Sequence, residues 1–122
     1  MTPFIHVRNV GDVIAKVLTE KGHENQSYDI TGPELITLGE VAARFSKVLG
    51  KEIKHVSPPM GAYSDVLRKV GFPEWRVEAV TGELGGIAAG MIDHKTELMG
   101  DLLGRPPRSI DDFVADYAEL FK

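Results

Sequence analysis

The chain has 122 residues, 43% hydrophobic and 26% charged, which suits one domain with a small core. Its net charge of −4 argues against a nucleic-acid groove, because such a groove needs a basic stripe to neutralise phosphates. The absence of cysteine excludes disulfides, thiol catalysis and cysteine-based metal or iron–sulfur sites. No apolar run approaches the roughly 20 residues needed to span a bilayer. The opening MTPFIHVRNV has no basic region ahead of an apolar one, so it is not read as a signal peptide. A cytoplasmic protein is expected.

Pro3 to Val7 reads as a short strand. Asn9 is placed to cap the helix that follows, with Asp12 near its positive end. Val10, Val13, Ile14, Val17 and Leu18 form the apolar stripe of that helix, and Gly22 closes it. Tyr28 to Thr31 is a β-favouring run that stops at Gly32-Pro33. Thr37 lies three residues before Glu40, the spacing of a capping box. Leu38, Val41, Ala42, Phe45, Val48 and Leu49 then recur at helical steps, and Gly50 stands where a left-handed residue ends a helix. Ile53 to Val56 reads as a third strand, ended by Ser57-Pro58-Pro59. Two overlapping βαβ units follow, with right-handed crossovers. The expected fold class is α/β: a small parallel sheet of about three strands, then a helical C-terminal half. Such a sheet needs cover on both faces, and dimerisation is one way to supply it.

In the second half, Met60, Tyr63, Val66, Leu67 and Val70 share a helical face, broken at Gly71-Phe72-Pro73. Pro73 suits a first helical position. Trp75, Val80, Leu84, Ile87, Ala88 and Met91 continue on a glycine-interrupted helix, expected to be the least stable. A short helical turn spans Leu98 to Leu103, and Gly104-Arg105-Pro106-Pro107 makes a rigid break. Ser109 and Asp112 cap the last helix, buried through Ile110, Phe113, Val114, Tyr117, Leu120 and Phe121.

The four histidines are scattered, without HExxH or HxH spacing, so no metal site is expected. His6 and His55 both fall on predicted parallel strands, whose carboxyl ends are the usual ligand side of open α/β sheets; each also reads as a structural histidine. His6, Arg8 and Asn9 cluster where the first strand passes into its helix. Asn9 is more simply explained as a cap, and Arg8 also as the partner of a carboxylate. Tyr63 and Trp75 are aromatic groups suited to stacking on a flat ligand or to core packing. Arg105 and Arg108 flank a stiff turn and are expected to bond helix-end carbonyls or nearby acids. No Tyr-x-x-x-Lys pair, Ser-His-Asp set or carboxylate pair is evident, and no catalytic residue is assigned. Gly82, Gly85, Gly86 and Gly90 imitate a phosphate loop in spacing, but they lie within an apolar helical pattern with no strand before it.

SYDITGPELITLGEVAARFSKVLGKEI, preceded by FIHVRNVGDVIAKVLTEKGH and followed by VGFPEW and LLGRPPRSIDDFVADY, resembles the C-terminal, substrate-side part of NmrA-like proteins. These are atypical short-chain dehydrogenase relatives that include NAD(P)H-dependent quinone reductases. The resemblance implies a single domain over residues 1–122, the substrate-binding lobe, with the N-terminal dinucleotide-binding half absent. In the family that half holds the dinucleotide on a glycine-rich loop and a helix N-terminus. It implies no cofactor in this chain, NAD(P)H entering only if the missing half is supplied, and no hydride transfer by the chain alone. It also implies a small apolar or aromatic, quinone-like ligand near His6, Arg8 and Asn9 and against Tyr63 and Trp75. An acidic residue is usual in the family where this chain has Asn9. A homodimer or a separate dinucleotide-binding partner is expected. A stand-alone ligand-binding or regulatory interaction module is the alternative.

Overall fold

The computed structural model describes residues 1–121. These form six α-helices: α1 (Val7–Thr19), α2 (Leu38–Leu49), α3 (Met60–Lys69), α4 (Glu74–Ala88), α5 (Leu98–Leu103) and α6 (Ile110–Tyr117). A 3-10 turn over Ala118–Phe121 follows. Local signals place most of the boundaries. At α2 the Thr37 hydroxyl accepts from Glu40 N–H at 3.1 Å while the Glu40 carboxylate accepts from Thr37 N–H at 2.7 Å. Ser109 and Asp112 repeat the same reciprocal pair at α6, at 3.2 and 2.7 Å. Gly50 and Gly104 end α2 and α5 in left-handed geometry, at φ of 64° and 65°.

The expected parallel sheet is not there. No β-strand occurs among the described residues, helix accounts for 56% of the chain, and the α/β assignment is corrected to a helical one. The β-favouring runs form no ladder with one another, and Val7 of the first run already belongs to α1. Pro3 has no N–H to give a ladder, and its carbonyl accepts from Gly32 N–H at 3.1 Å. Thr2 and Ile36 make a single antiparallel bridge. Residues 29–31 are fastened to Thr96 by side chains: Thr96 N–H donates to Thr31 Oγ1 at 2.9 Å, and Thr96 Oγ1 donates to Asp29 O at 2.8 Å. Ile53 N–H donates to Ser46 Oγ at 2.8 Å. β propensity describes a side chain that fits a pleated surface, and each short run here lacks a neighbouring strand to make that surface.

The core draws Val13 from α1, Leu67 from α3, Val77 from α4, Met99 from α5 and Val114 from α6, with Ile36 from the segment before α2. α1 packs on α5, α2 on α6 and the closing 3-10 turn, and α3 on α4. Phe45 and Phe121 meet edge to face at 5.0 Å. The helical stripes are buried only in part: Ile14 and Leu18 of α1 and Leu120 after α6 face outward. No helix among the described residues is long and apolar enough to cross a membrane.

Two glycine sites differ in sign. A Cβ at Gly32 would collide with the Phe4 carbonyl, its carbon 2.6 Å away, whereas Gly82 and Gly85 of α4 have nothing within 4 Å of that position. Gly82→Ala and Gly85→Ala are each expected to stabilise the fold by about 0.5–1 kcal/mol by reducing unfolded-chain entropy. Gly32→Ala is expected to destabilise it by about 2–3 kcal/mol through backbone displacement. Urea unfolding of the three variants measures both effects.

Candidate functional site

Pro58 and Pro59 hold the chain extended into α3, with Pro59 at φ −54° as the residue before the first helical turn. This places residues 55–58 beside the start of α3 and the end of α4. Between them lies a hollow of about 430 Å³, lined by Leu38, His55, Val56, Ser57, Pro58, Met60, Tyr63, Leu84, Ile87 and Ala88. That size is in the range of small-molecule sites. A second hollow of about 400 Å³ adds Met1, Thr2, Ile36, Thr37 and Gly39 and shares Leu38, His55, Ile87 and Ala88 with the first. The walls are mainly aliphatic. His55, Ser57 and Tyr63 supply the polar side chains of the first hollow, and no Asp or Glu lines either one.

His6, Arg8 and Asn9 come together elsewhere, where α1 meets α6. His6, not Asn9, caps α1: its Nδ1 accepts from Arg8 N–H at 3.1 Å, so the neutral ring carries its proton on Nε2. Nε2 lies 3.3 Å from Asp116 Oδ2 but out of line, and forms no hydrogen bond. Phe113 meets the ring edge-on at 5.5 Å. Arg8 donates to Asp116 at 2.7 Å, the carboxylate pairing expected as its alternative role. Asn9 is 0% exposed inside α1. Its amide donates to Arg108 O at 2.9 Å and its oxygen accepts from Arg108 N–H at 3.1 Å. Arg108 also donates to Asp12 at 2.7 Å, and Arg105 bonds the same carboxylate. Arg105 and Arg108 thus fasten their turn to α1.

Of the residues singled out from sequence, the structure brings His55 and Tyr63 together in the hollow. It gathers His6, Arg8 and Asn9 in the α1–α6 clasp. Trp75 stands apart at the start of α4, 70% exposed and outside the hollow. Leu38, Leu84, Ile87 and Ala88 were read as helix stripe and are pocket wall. For Leu84, Ile87 and Ala88 the one advance sign is that apolar residues run around more than one face of α4, beyond what a single core contact uses. Gly82, Gly85 and Gly86 lie inside α4, not in a turn ahead of a helix. Their N–H groups therefore belong to the helical ladder and do not form a pyrophosphate cradle. No group of His, Asp and Glu among the described residues could hold a metal ion.

The NAD(P)H azoreductase of Xenophilus azovorans is 31% identical to the chain over 97% of it, and the chain spans 41% of that relative. The solved structure of the Escherichia coli NADPH-dependent quinone oxidoreductase complexed with NADPH superposes with a TM-score of 0.82 at 22% identity, covering 99% of this chain and 42% of that one. The chain matches the C-terminal part of the NAD(P)H-dependent quinone oxidoreductase and azoreductase family. The Citrobacter triphenylmethane reductase, solved with NADP(H), shares the fold at a TM-score of 0.80 and 24% identity. The chain thus spans about two fifths of the length of these relatives. No protein-family model matches it.

Several carboxylates are held below their ordinary range. Glu34 is lowered first by the hydrogen bonds of Arg44, at 2.5 and 2.7 Å. Asp12 is lowered first by Arg108, Glu40 by Thr37 N–H and Asp112 by Ser109 N–H. A folded value below the unfolded one means the unfolded chain binds protons more readily, so this stabilisation is whole above the carboxylate range and is lost as pH falls through it. The melting temperature is expected to hold from neutrality to about pH 5 and to fall steadily towards about pH 3, less steeply in Arg44→Met. Asn9→Ala leaves the part-buried N–H and carbonyl of Arg108 without their partner; a loss of about 1–3 kcal/mol is expected in chemical denaturation.

Proposed function

We propose that this chain is the ligand-recognition lobe of an NmrA-like NAD(P)-dependent oxidoreductase, receiving a flat apolar or aromatic, quinone-like molecule and not transferring hydride by itself. The observation that carries this reading is the hollow of about 430 Å³ walled by Leu38, Leu84 and Ile87, with Tyr63 beside them. Aliphatic walls exclude water from the ring faces, and a few polar groups fix its orientation. Ligand contact is assigned to His55 and Tyr63. His6, Arg8 and Asn9 act at a distance, holding α1 and α6 in register. Trp75, exposed at the start of α4, is assigned to the surface that meets a partner.

The dinucleotide is assigned to a part of the enzyme outside these 122 residues, since the α4 glycines are helical and offer it no loop. Residues 52–57, which lie outside any helix, support contact with such a part. Val56 is 76% exposed, and the backbone of Lys54, His55 and Val56 has no hydrogen bond within the described residues, as at a sheet edge awaiting a strand. A second copy of the chain is the other candidate for that edge. An interaction module is the second reading, favoured by the outward Val66 of α3 and Val70 at its C-terminal cap, one turn apart.

Calorimetric titration with 2-methyl-1,4-naphthoquinone and, separately, NADPH tests the proposal. Saturable quinone binding without NADPH binding is expected. Ala88→Phe, which fills the hollow from an exposed position, is expected to weaken the quinone by about tenfold, or about 1.4 kcal/mol. Saturable NADPH binding to the chain alone, or quinone binding indifferent to Ala88→Phe, overturns it.

A further inference from the structure

We propose that the hollow selects aromatic ligands that carry an acidic, ionised oxygen, and that His55 is the group that receives it. This rests on the reading of the hollow as a ligand site. Three of the four histidines have work within the fold. His6 caps α1, His23 Nδ1 lies 2.7 Å from Tyr28 Oη, and His94 Nε2 lies 3.1 Å from Asp29 Oδ2. His55 alone has no hydrogen bond, ion pair or ring contact among the described residues, yet it lines both hollows. An imidazole free of partners, in a wall that is mainly aliphatic apart from Ser57 and Tyr63, keeps both nitrogens available to what enters.

The charges around it leave that role open. No carboxylate lines either hollow to neutralise a cationic ring or to repel an anionic ligand. Next to it in the chain, Lys54 pairs with Glu52 at 3.1 Å. At the start of α2, Glu40 is committed to the Thr37 cap. The amino group of Met1, from the second hollow, pairs with Asp93 at 2.6 Å. From α3 the titratable neighbour is Tyr63, and α4 contributes only Leu84, Ile87 and Ala88. His55 is therefore the side chain of the pocket wall able to become cationic.

A neutral quinone carbonyl accepts a hydrogen bond from either protonation state of an imidazole. An ionised oxygen gains in addition from the charged form, through a charge-assisted bond. The two ligand classes thus differ in pH dependence, which makes the proposal separable from the one beneath it.

The test compares 2-hydroxy-1,4-naphthoquinone, ionised at neutral pH, with neutral 2-methyl-1,4-naphthoquinone. Both are titrated into the chain across the range in which imidazoles titrate. The hydroxy compound is expected to bind about fivefold more tightly at the acidic end than at the basic end, with the methyl compound unchanged. His55→Gln, an exposed change checked by circular dichroism, is expected to abolish the pH dependence of the hydroxy compound, any weakening of the methyl compound being the same at both ends of the range. If the hydroxy compound shows no acid-side gain, or keeps it in His55→Gln, this inference falls and the quinone pocket stands. If neither compound binds at any pH, the pocket reading fails and takes the inference with it.

Discussion

The buried amide of Asn9 is the constraint on which the arrangement depends. It closes both the N–H and the carbonyl of Arg108, 99 positions away in the chain, so the first helix and the approach to the last are joined by a two-bond pair whose Asn9 side is fully buried. An amide can serve a donor and an acceptor at once, whereas a carboxylate there has no proton to give the Arg108 carbonyl. Around that pair, Asp12 takes both Arg105 and Arg108, and Arg8 takes Asp116. Arg44 does similar work on the far side, bridging Glu34 before α2 to Asp111 of α6. These links tie α1, α2 and α6 together, while α3 and α4 pack on each other and, with residues 55–58, shape the pocket.

Local signals in the sequence were legible because they act within a few residues. The Thr37–Glu40 and Ser109–Asp112 boxes start α2 and α6 where the spacing puts them, and Gly50 and Gly104 stop their helices with positive φ. The resemblance to the C-terminal part of the quinone oxidoreductase and azoreductase family is likewise seen in the comparisons. The sheet was not legible, because a strand is defined by what it pairs with. Tyr28 to Thr31 has the composition of a strand, but its attachment is Thr96, 65 positions later, through hydroxyl groups. Asn9 was read as a cap from its residue type. In the fold His6 takes that place with a ring nitrogen, freeing Asn9 for the long-range pair. No short-range pattern announces either choice.

The pocket was legible by half. Tyr63 and His55 were picked out for their chemistry, and the fold places both in one wall. Leu38, Leu84 and Ile87 repeat at helical spacing just as core residues do, and only the three-dimensional packing shows that the space beside them is left open. The outward faces are informative in the same way. A short helical chain with Val56, Trp75 and Leu18 turned to solvent presents more apolar surface than its own helices cover, which fits a lobe that works against a second body.

The account's central claim is that ligand recognition resides in the α3–α4 hollow, while the α1–α6 clasp only supports it. Amide chemical-shift mapping on the isotopically labelled chain, with 2-hydroxy-1,4-naphthoquinone added to saturation, addresses this directly. The account predicts shifts centred on Leu38, Tyr63, Leu84 and Ile87, with Asn9, Asp12 and Arg108 unmoved. Shifts centred on His6, Arg8 and Asn9, with the α4 amides still, would contradict it.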